Sequence, residues 1–258
     1  MRAIRDFKRY FRYARYSAFS ELRTQVADSY LGWLWWILDP LLFMLVYGFI
    51  TVYIFKTPVE DIWLFVFAGL TIWNFFSTTV SSSIGVIRSY AAVIIKVYIP
   101  KTMLVFMVMM VNFFKMLISI LICIVSAMII GLDIWPYILN MIPVLIVLMI
   151  LTYGVSLICA FIGVYIADFS NVMNVIIRFL FYLSGVFYTL DVFSERLLSI
   201  YNLICPTGFL IAQFRNALMY GVGVDYFRLG YWMIIGIAFM AIGVHLLYKK
   251  ENEYMKVI

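Results

Sequence analysis

Apolar residues run in six long blocks along this chain, and polar residues are confined to the stretches between them. The blocks cover about 31–55, 62–87, 102–130, 137–167, 171–188 and 229–248. A helix needs roughly 20 apolar residues to cross the hydrocarbon core of a bilayer, and the blocks supply that length, the fifth by the narrowest margin. Backbone groups in lipid must be satisfied inside their own segment, so the blocks predict spanning helices. The fold class expected is all-α: a polytopic membrane protein with six transmembrane helices, built as one domain over residues 1–258 with no room for a soluble one.

Two stretches depart from that pattern. Within the arm at 1–30, Ile4, Phe7, Phe11, Ala14, Ala18 and Leu22 recur at intervals of three and four, with Arg5, Lys8, Arg9, Arg12 and Arg15 between them. This spacing predicts an amphipathic helix with a basic face, lying in the headgroup region. Phe7, Tyr10, Phe11, Tyr13 and Tyr16 form an interfacial aromatic belt that favours this over a solvated helix. Residues 189–228 are too apolar for a free loop, yet they hold Asp191, Glu195, Arg196, Pro206, Arg215 and Asp225. Spanning there would bury several charges at a few kcal/mol each. Two short helices, about 194–203 and 208–220, turning at Cys205-Pro206-Thr207-Gly208, fit better as a re-entrant pair before the last span. Irregular backbone at membrane depth is tolerated only against protein or a water-filled cavity, so such a pair implies a pathway.

Composition agrees with the blocks. At 66% hydrophobic and 12% charged residues, with mean hydropathy +1.04, the chain cannot be a soluble globule. Its net charge of +6 is unevenly placed: Arg2, Arg5, Lys8, Arg9, Arg12, Arg15 and Arg23 all precede Leu31. With the amino terminus inside, Arg88, Lys96, Lys101, Lys249, Lys250 and Lys256 fall on the same side, making thirteen of the 19 cations. Lys56, Arg196, Arg215 and Arg228 lie outside, and Lys115 and Arg178 lie within spans. The positive-inside rule then places both termini in the cytoplasm, and it accounts for the basic balance better than nucleic-acid binding does. The first 30 residues lack the apolar core and cleavage pattern of a removable signal, so the first span is expected to act as an uncleaved anchor.

Chemistry-bearing residues are sparse. Cys123, Cys159 and Cys205 are far apart and His245 is the lone histidine, so no metal site, disulfide or cysteine nucleophile is indicated. None of the 14 glycines begins a phosphate-binding loop. No catalytic residue or cofactor is therefore expected on this chain; if ATP drives transport, ATP and Mg belong to a separate ATPase. Intramembrane charges are functional candidates by default. Asp39, followed by Pro40, and Arg178 should sit at similar depth, as a structural ion pair or as lining of a polar route, while Lys115 lies near the middle of the third span. Trp33, Trp35 and Trp36 read as membrane anchors; Tyr47, Tyr53, Trp73, Phe75 and Phe76 either face lipid or line a channel suited to sugar rings. The loop from Arg88 to Lys101 is short and amphipathic and ends at Pro100. It suits a rigid force-transmitting contact or a plain interfacial turn.

The segment Ser29-Tyr30-Leu31-Gly32-Trp33-Leu34-Trp35, continuing through Asp39-Pro40-Leu41-Leu42 to Val46-Tyr47, resembles the arm-to-span junction of a known family. This is the family of type-2 ATP-binding-cassette permeases that export lipid-linked polysaccharides, including O-antigen, capsule and wall teichoic acid. Lys96-Val97-Tyr98-Ile99-Pro100-Lys101 is similar to its coupling region, and Cys205-Pro206 through Phe214-Arg215 to its segment before the last span. The Ala167-Asp168 pair departs from the Arg-Asp usual after span four.

The resemblance implies a homodimer with two nucleotide-binding ATPase subunits in a bacterial inner (cytoplasmic) membrane. A polymer on undecaprenyl diphosphate would cross between the two copies. It implies a substrate path past Arg23, Trp33, Asp39, Tyr47, Trp73 and Arg178, with Arg23 and neighbouring cations meeting the diphosphate. Coupling to the ATPase falls to Arg88, Tyr90, Lys96, Tyr98, Pro100 and Lys101, and an outer gate to Glu195, Arg196, Pro206, Phe214 and Arg215. Three alternatives predict other features. A secondary transporter would need paired broken helices in both halves, and only one broken element is read here. A lipid-modifying enzyme would need an interfacial Asp, His or Ser cluster. An exporter of a drug or lipid with the same architecture shares every feature read so far.

Overall fold

The computed structural model describes residues 2–27, 30–55, 61–133, 135, 137–166, 168–190 and 194–250. Lys56, Ala167, Asp191 and Lys256, and the side chains of Ile4 and Glu195, lie outside the described residues. Helix α1 (Arg2–Ala27) leads through a tight turn, Gly32–Leu34, into α2 (Trp35–Phe49), whose end widens into a π-helical turn, Ile50–Phe55. Then come α3 (Ile62–Ser89), the one-turn α4 (Ala91–Ile94), α5 (Lys101–Ile130), α6 (Met141–Tyr165) and α7 (Phe169–Leu183). The chain closes with α8 (Glu195–Ile204), α9 (Pro206–Arg215), which runs on as a π-helical turn through Tyr220, and α10 (Tyr226–Lys249).

Local sequence sets these boundaries. Pro100 precedes the first residue of α5, and Gly131 ends it with φ of 89°, a left-handed cap only glycine adopts without cost. Leu132 N donates to the Ala127 carbonyl at 3.0 Å, completing that stop. Pro206 opens α9, where its missing N–H removes no helical bond. The Asp225 carboxylate accepts from Arg228 N at 3.0 Å and caps α10.

Five helical segments are long and apolar enough to cross a membrane: the turn into α2, α3, α5, α6 with its preceding turn, and α10. The sixth expected span is α7, which at 15 residues reaches only about 22 Å on its own. Helices α8 and α9 form the broken pair, bent by 109° at Cys205. Helix α3 is the hub, buried along most of its length between α5, α6, α7 and α9. One end of the bundle carries α1, α4 and the last turn of α10; the other carries the α8–α9 pair.

Helices α6 and α10 pack backbone to backbone. A Cβ on Gly154 would meet Met240 N at 2.7 Å and Gly236 O at 2.9 Å, and one on Gly243 would meet Leu157 Cβ at 2.5 Å. Lipid offers no hydrophobic drive between helices, so such small-residue contacts supply the association. Replacing Gly236 by valine, against Leu151 Cα at 3.1 Å, should therefore lower stability by about 1–3 kcal/mol. A melting temperature of the solubilised protein equal to wild type would show that the contact is dispensable.

The arm helix forms as expected but docks on protein. Ala14, Ala18 and Leu22 are buried. Ala18 and Leu22 pack on Met107 and Val111 of α5. Phe7 and Phe11 approach the Phe106 ring at 5.0 and 5.9 Å, and Tyr248 of α10 donates to Asp6 Oδ2 at 3.1 Å. The apolar stripe that suits a bilayer surface is used on a neighbouring helix, leaving Arg9, Arg12, Arg15 and Arg23 on the outer face.

Candidate functional site

Three features carry the sequence-predicted residues: a patch at the arm end, a cavity beside α2, and a pinned turn at the far end. At the arm end, the chain leaves α3 at Tyr90 and returns at Pro100. Within that stretch Val93, Ile95, Val97 and Tyr98 are exposed, Ile95 at 63% and Val97 at 57%. The loop is held rigidly. Arg88 Nη2 donates to the Val164 carbonyl at the end of α6 at 2.7 Å, and Tyr90 OH donates to Met107 Sδ at 3.7 Å. Partial burial pushes the Tyr90 phenol up, and the Glu21 carboxylate adds to it. Lys96 stands exposed in the patch, whereas Ile99, Pro100 and Lys101 are buried and anchor it. Four apolar side chains are thus exposed together on a braced loop.

Beside α2 lies a cavity of about 440 Å³ lined by residues of α2, α3 and α5 and by Gln25 at the end of α1. Asp39 faces it from α2, Asn74 and Thr78 from α3, Asn112 and Lys115 from α5. The Lys115 ammonium stands 5.8 Å from the Trp36 ring, and the carboxylates of Asp39 and Glu21 act on it electrostatically. Asp39 and Arg178 therefore do not pair. Asp39 belongs with Lys115, and Arg178 is exposed on α7 away from this cavity. The helical register explains the correction: α7 packs through Ile177, which turns Arg178 away from α3.

Arg178 instead continues a polar line. Asn171, Asn174 and Arg178, spaced by three and four, are all exposed on one side of α7. That spacing was available in the sequence and is the signal that depth alone missed. Tyr47 and Trp73 are drawn into an aromatic cluster joining α2, α3 and α7: Tyr47 to Phe187 at 4.5 Å, Trp73 to Phe181 at 5.4 Å, Phe181 to Phe187 at 5.0 Å. Trp73, 5% exposed, presents no free face, so it packs helices instead of lining a route. Trp33 is 58% exposed at the start of α2, and Arg23 is exposed near the end of α1.

At the far end, Arg215 is buried and fully engaged. Its Nε donates to the Phe65 carbonyl at 3.1 Å, and Nη1 and Nη2 donate to the Gly185 and Val186 carbonyls at 2.8 Å each. Its guanidinium carbon lies 3.3 Å from the Phe65 ring centroid. Tyr201 of α8 donates to the Leu183 carbonyl at 2.6 Å, as does Tyr188 at 3.0 Å. The carbonyls at and just beyond the end of α7 are thus satisfied by side chains of the broken pair and the turn before it. Phe214 is wholly buried and Arg196 is exposed on α8. Behind this turn a cavity of about 200 Å³ is lined by Asn202, Gln213 and Arg215 among others, and Asn202 Oδ1 has no protein partner.

Among the described residues no group of three or more metal-ligating side chains assembles, and the three cysteines are free and buried. The family model for the ABC-2 type transporter matches residues 14–219, from the arm through the end of the broken pair. The O-antigen export system permease protein RfbA of Klebsiella pneumoniae is 24% identical over 246 residues, covering 92% of each chain. A second permease of that name from the same organism is 24% identical over 241 residues, again with 92% of each chain covered. The O-antigen export system permease protein RfbA of Myxococcus xanthus is 27% identical over 178 residues, 68% of each chain.

Proposed function

This chain belongs to the ABC-2 type transporter family, and from that membership we propose that it is the membrane subunit of an exporter of lipid-linked polysaccharide. The substrate class is taken from the relatives named as O-antigen permeases, which match 92% of this chain. The observation that carries a transport role is the polar line of Asn171, Asn174 and Arg178 on a membrane-embedded helix. Polar side chains facing lipid are costly, so this face fits a water-filled route. In this reading two copies of the chain bring α2 and α7 together around a path for the glycan, with the exposed Arg23 and its neighbours meeting the carrier's diphosphate. A separate ATPase docks on the 93–98 patch, both termini lie in the cytoplasm, and α8–α9 forms the outer gate. O-antigen, capsule and wall teichoic acid all satisfy this chemistry.

The test is genetic and chemical together. Deleting the gene should remove the surface glycan while lipid-linked polymer accumulates inside the cell, and plasmid-borne wild-type chain should restore export. Arg178→Ala should reach the membrane at normal levels yet export at least tenfold less. Unchanged surface glycan in the deletion strain would rule out the polysaccharide reading, and full export by Arg178→Ala would remove α7 from the path.

A further inference from the structure

The cavity beside α2 contains more hydrogen-bonding capacity than the protein uses. Among the described residues, the side chains of Asp39, Asn74, Thr78 and Asn112 have no protein hydrogen-bond partner, although Asn112 is only 6% exposed. Asn112 opens its amide into this cavity and not onto a neighbouring helix, and polar groups inside membrane-crossing helices are functional candidates by default. The cavity therefore offers an occupant both donors and acceptors.

Its electrostatics narrow the class. Lys115 and Asp39 both line the cavity, and the Glu21 carboxylate also acts on the ammonium, so the field is not positive overall. A phosphate or diphosphate would gain Lys115 but face the Asp39 carboxylate, and a metal cation would face the ammonium. A neutral polyhydroxylated ring meets no such conflict. Its hydroxyls can accept from Lys115 and donate to Asp39, and they can do both with Asn74 and Asn112. Trp36 also borders the space, a flat apolar surface of the kind on which the C–H face of a sugar rests. The volume, about 440 Å³, lies within the range of small-ligand sites.

We propose that this cavity is a sugar subsite: it holds one neutral glycosyl unit through Asp39, Asn74, Asn112 and Lys115, with Trp36 as its stacking wall. It rests on the polysaccharide-export reading and adds that the chain recognises the glycan within each copy. The carrier's diphosphate is excluded from this site.

The test uses the purified subunit with its ATPase in lipid nanodiscs. Galactose, mannose, glucose and rhamnose are offered at millimolar concentration and followed by saturation-transfer NMR; inorganic phosphate and pyrophosphate are followed by phosphorus NMR. At least one sugar should show transfer that falls about tenfold in Asn112→Leu and in Asn74→Leu, while Asn112→Gln keeps part of it. Neither phosphate should respond to these changes. Absence of any sugar signal sensitive to the asparagines, or a phosphate signal lost with them, overturns the subsite. A cellular arm separates this from the broader reading. If the deletion strain loses its surface glycan and Asn112→Leu restores it fully, the subsite fails while export stands. If deletion leaves the glycan unchanged, the export reading itself has failed.

Discussion

Arg215→Met should yield almost no folded protein. The guanidinium is 3% exposed and satisfies three carbonyls, on α3 and in the turn after α7. Methionine fills comparable space but donates nothing, and each orphaned buried carbonyl costs about 1–3 kcal/mol. The total is at least roughly 3 kcal/mol, a large share of the stability of an ordinary domain. Lysine should rescue only in part, since it retains charge but lacks the planar fork that reaches several carbonyls at once. Gly69 supplies an independent check. A Cβ there would lie 2.5 Å from Arg215 Nη2, so Gly69→Ala should displace the same guanidinium and lower stability in the same direction. The measurement is the yield of monodisperse protein after solubilisation and its melting temperature. An Arg215→Met chain that melts with wild type would show that the turn is held by other contacts.

A second large effect is expected at the opposite end, with the fold left intact. Ile95 and Val97 are exposed and touch little of their own chain, so Ile95→Asp with Val97→Asp should not alter the melting temperature. If the patch seats the ATPase, two desolvated carboxylates in that interface cost several kcal/mol. Co-purification of the ATPase should fall by more than a hundredfold, and export should be lost with it. Retention of the ATPase by the double variant would place the docking surface elsewhere.

The sequence made the helices legible because lipid imposes a single rule: every spanning segment must be long, apolar and internally bonded. The same rule located the broken pair, since charges at Glu195, Arg196 and Arg215 cannot be reconciled with an ordinary crossing. It did not reveal what Arg215 does. A cation held by main-chain carbonyls leaves no trace in the side chains around it, and the residues it pins, Phe65 and Gly185-Val186, are ordinary apolar sequence. Depth was likewise a poor guide to partners. Similar depth leaves open whether Asp39 and Arg178 pair or line a route; rotation about each helix axis decides which groups meet, and Lys115 is the one that shares a cavity with Asp39. The arm shows a different limit: an apolar stripe specifies a non-aqueous neighbour without saying how much of it is lipid and how much protein. Asn74 and Asn112 carry a readable signal of their own, two amides inside long apolar blocks.

Helix α2 buries only Pro40 and Gly48, the latter beneath the Trp63 ring. Its main neighbour α3 is enclosed along most of its length, whereas α2 is not, so α2 contributes little to the cohesion of a solitary subunit. A newly inserted chain thus presents an incompletely covered helix to whatever surveys the membrane for unassembled proteins. Whatever covers that face stabilises the chain by mass action, so the cellular half-life of this subunit should rise steeply with its abundance. Overproduction from a strong promoter should then lengthen its survival in a pulse-chase, the opposite of what a saturated insertion pathway would give.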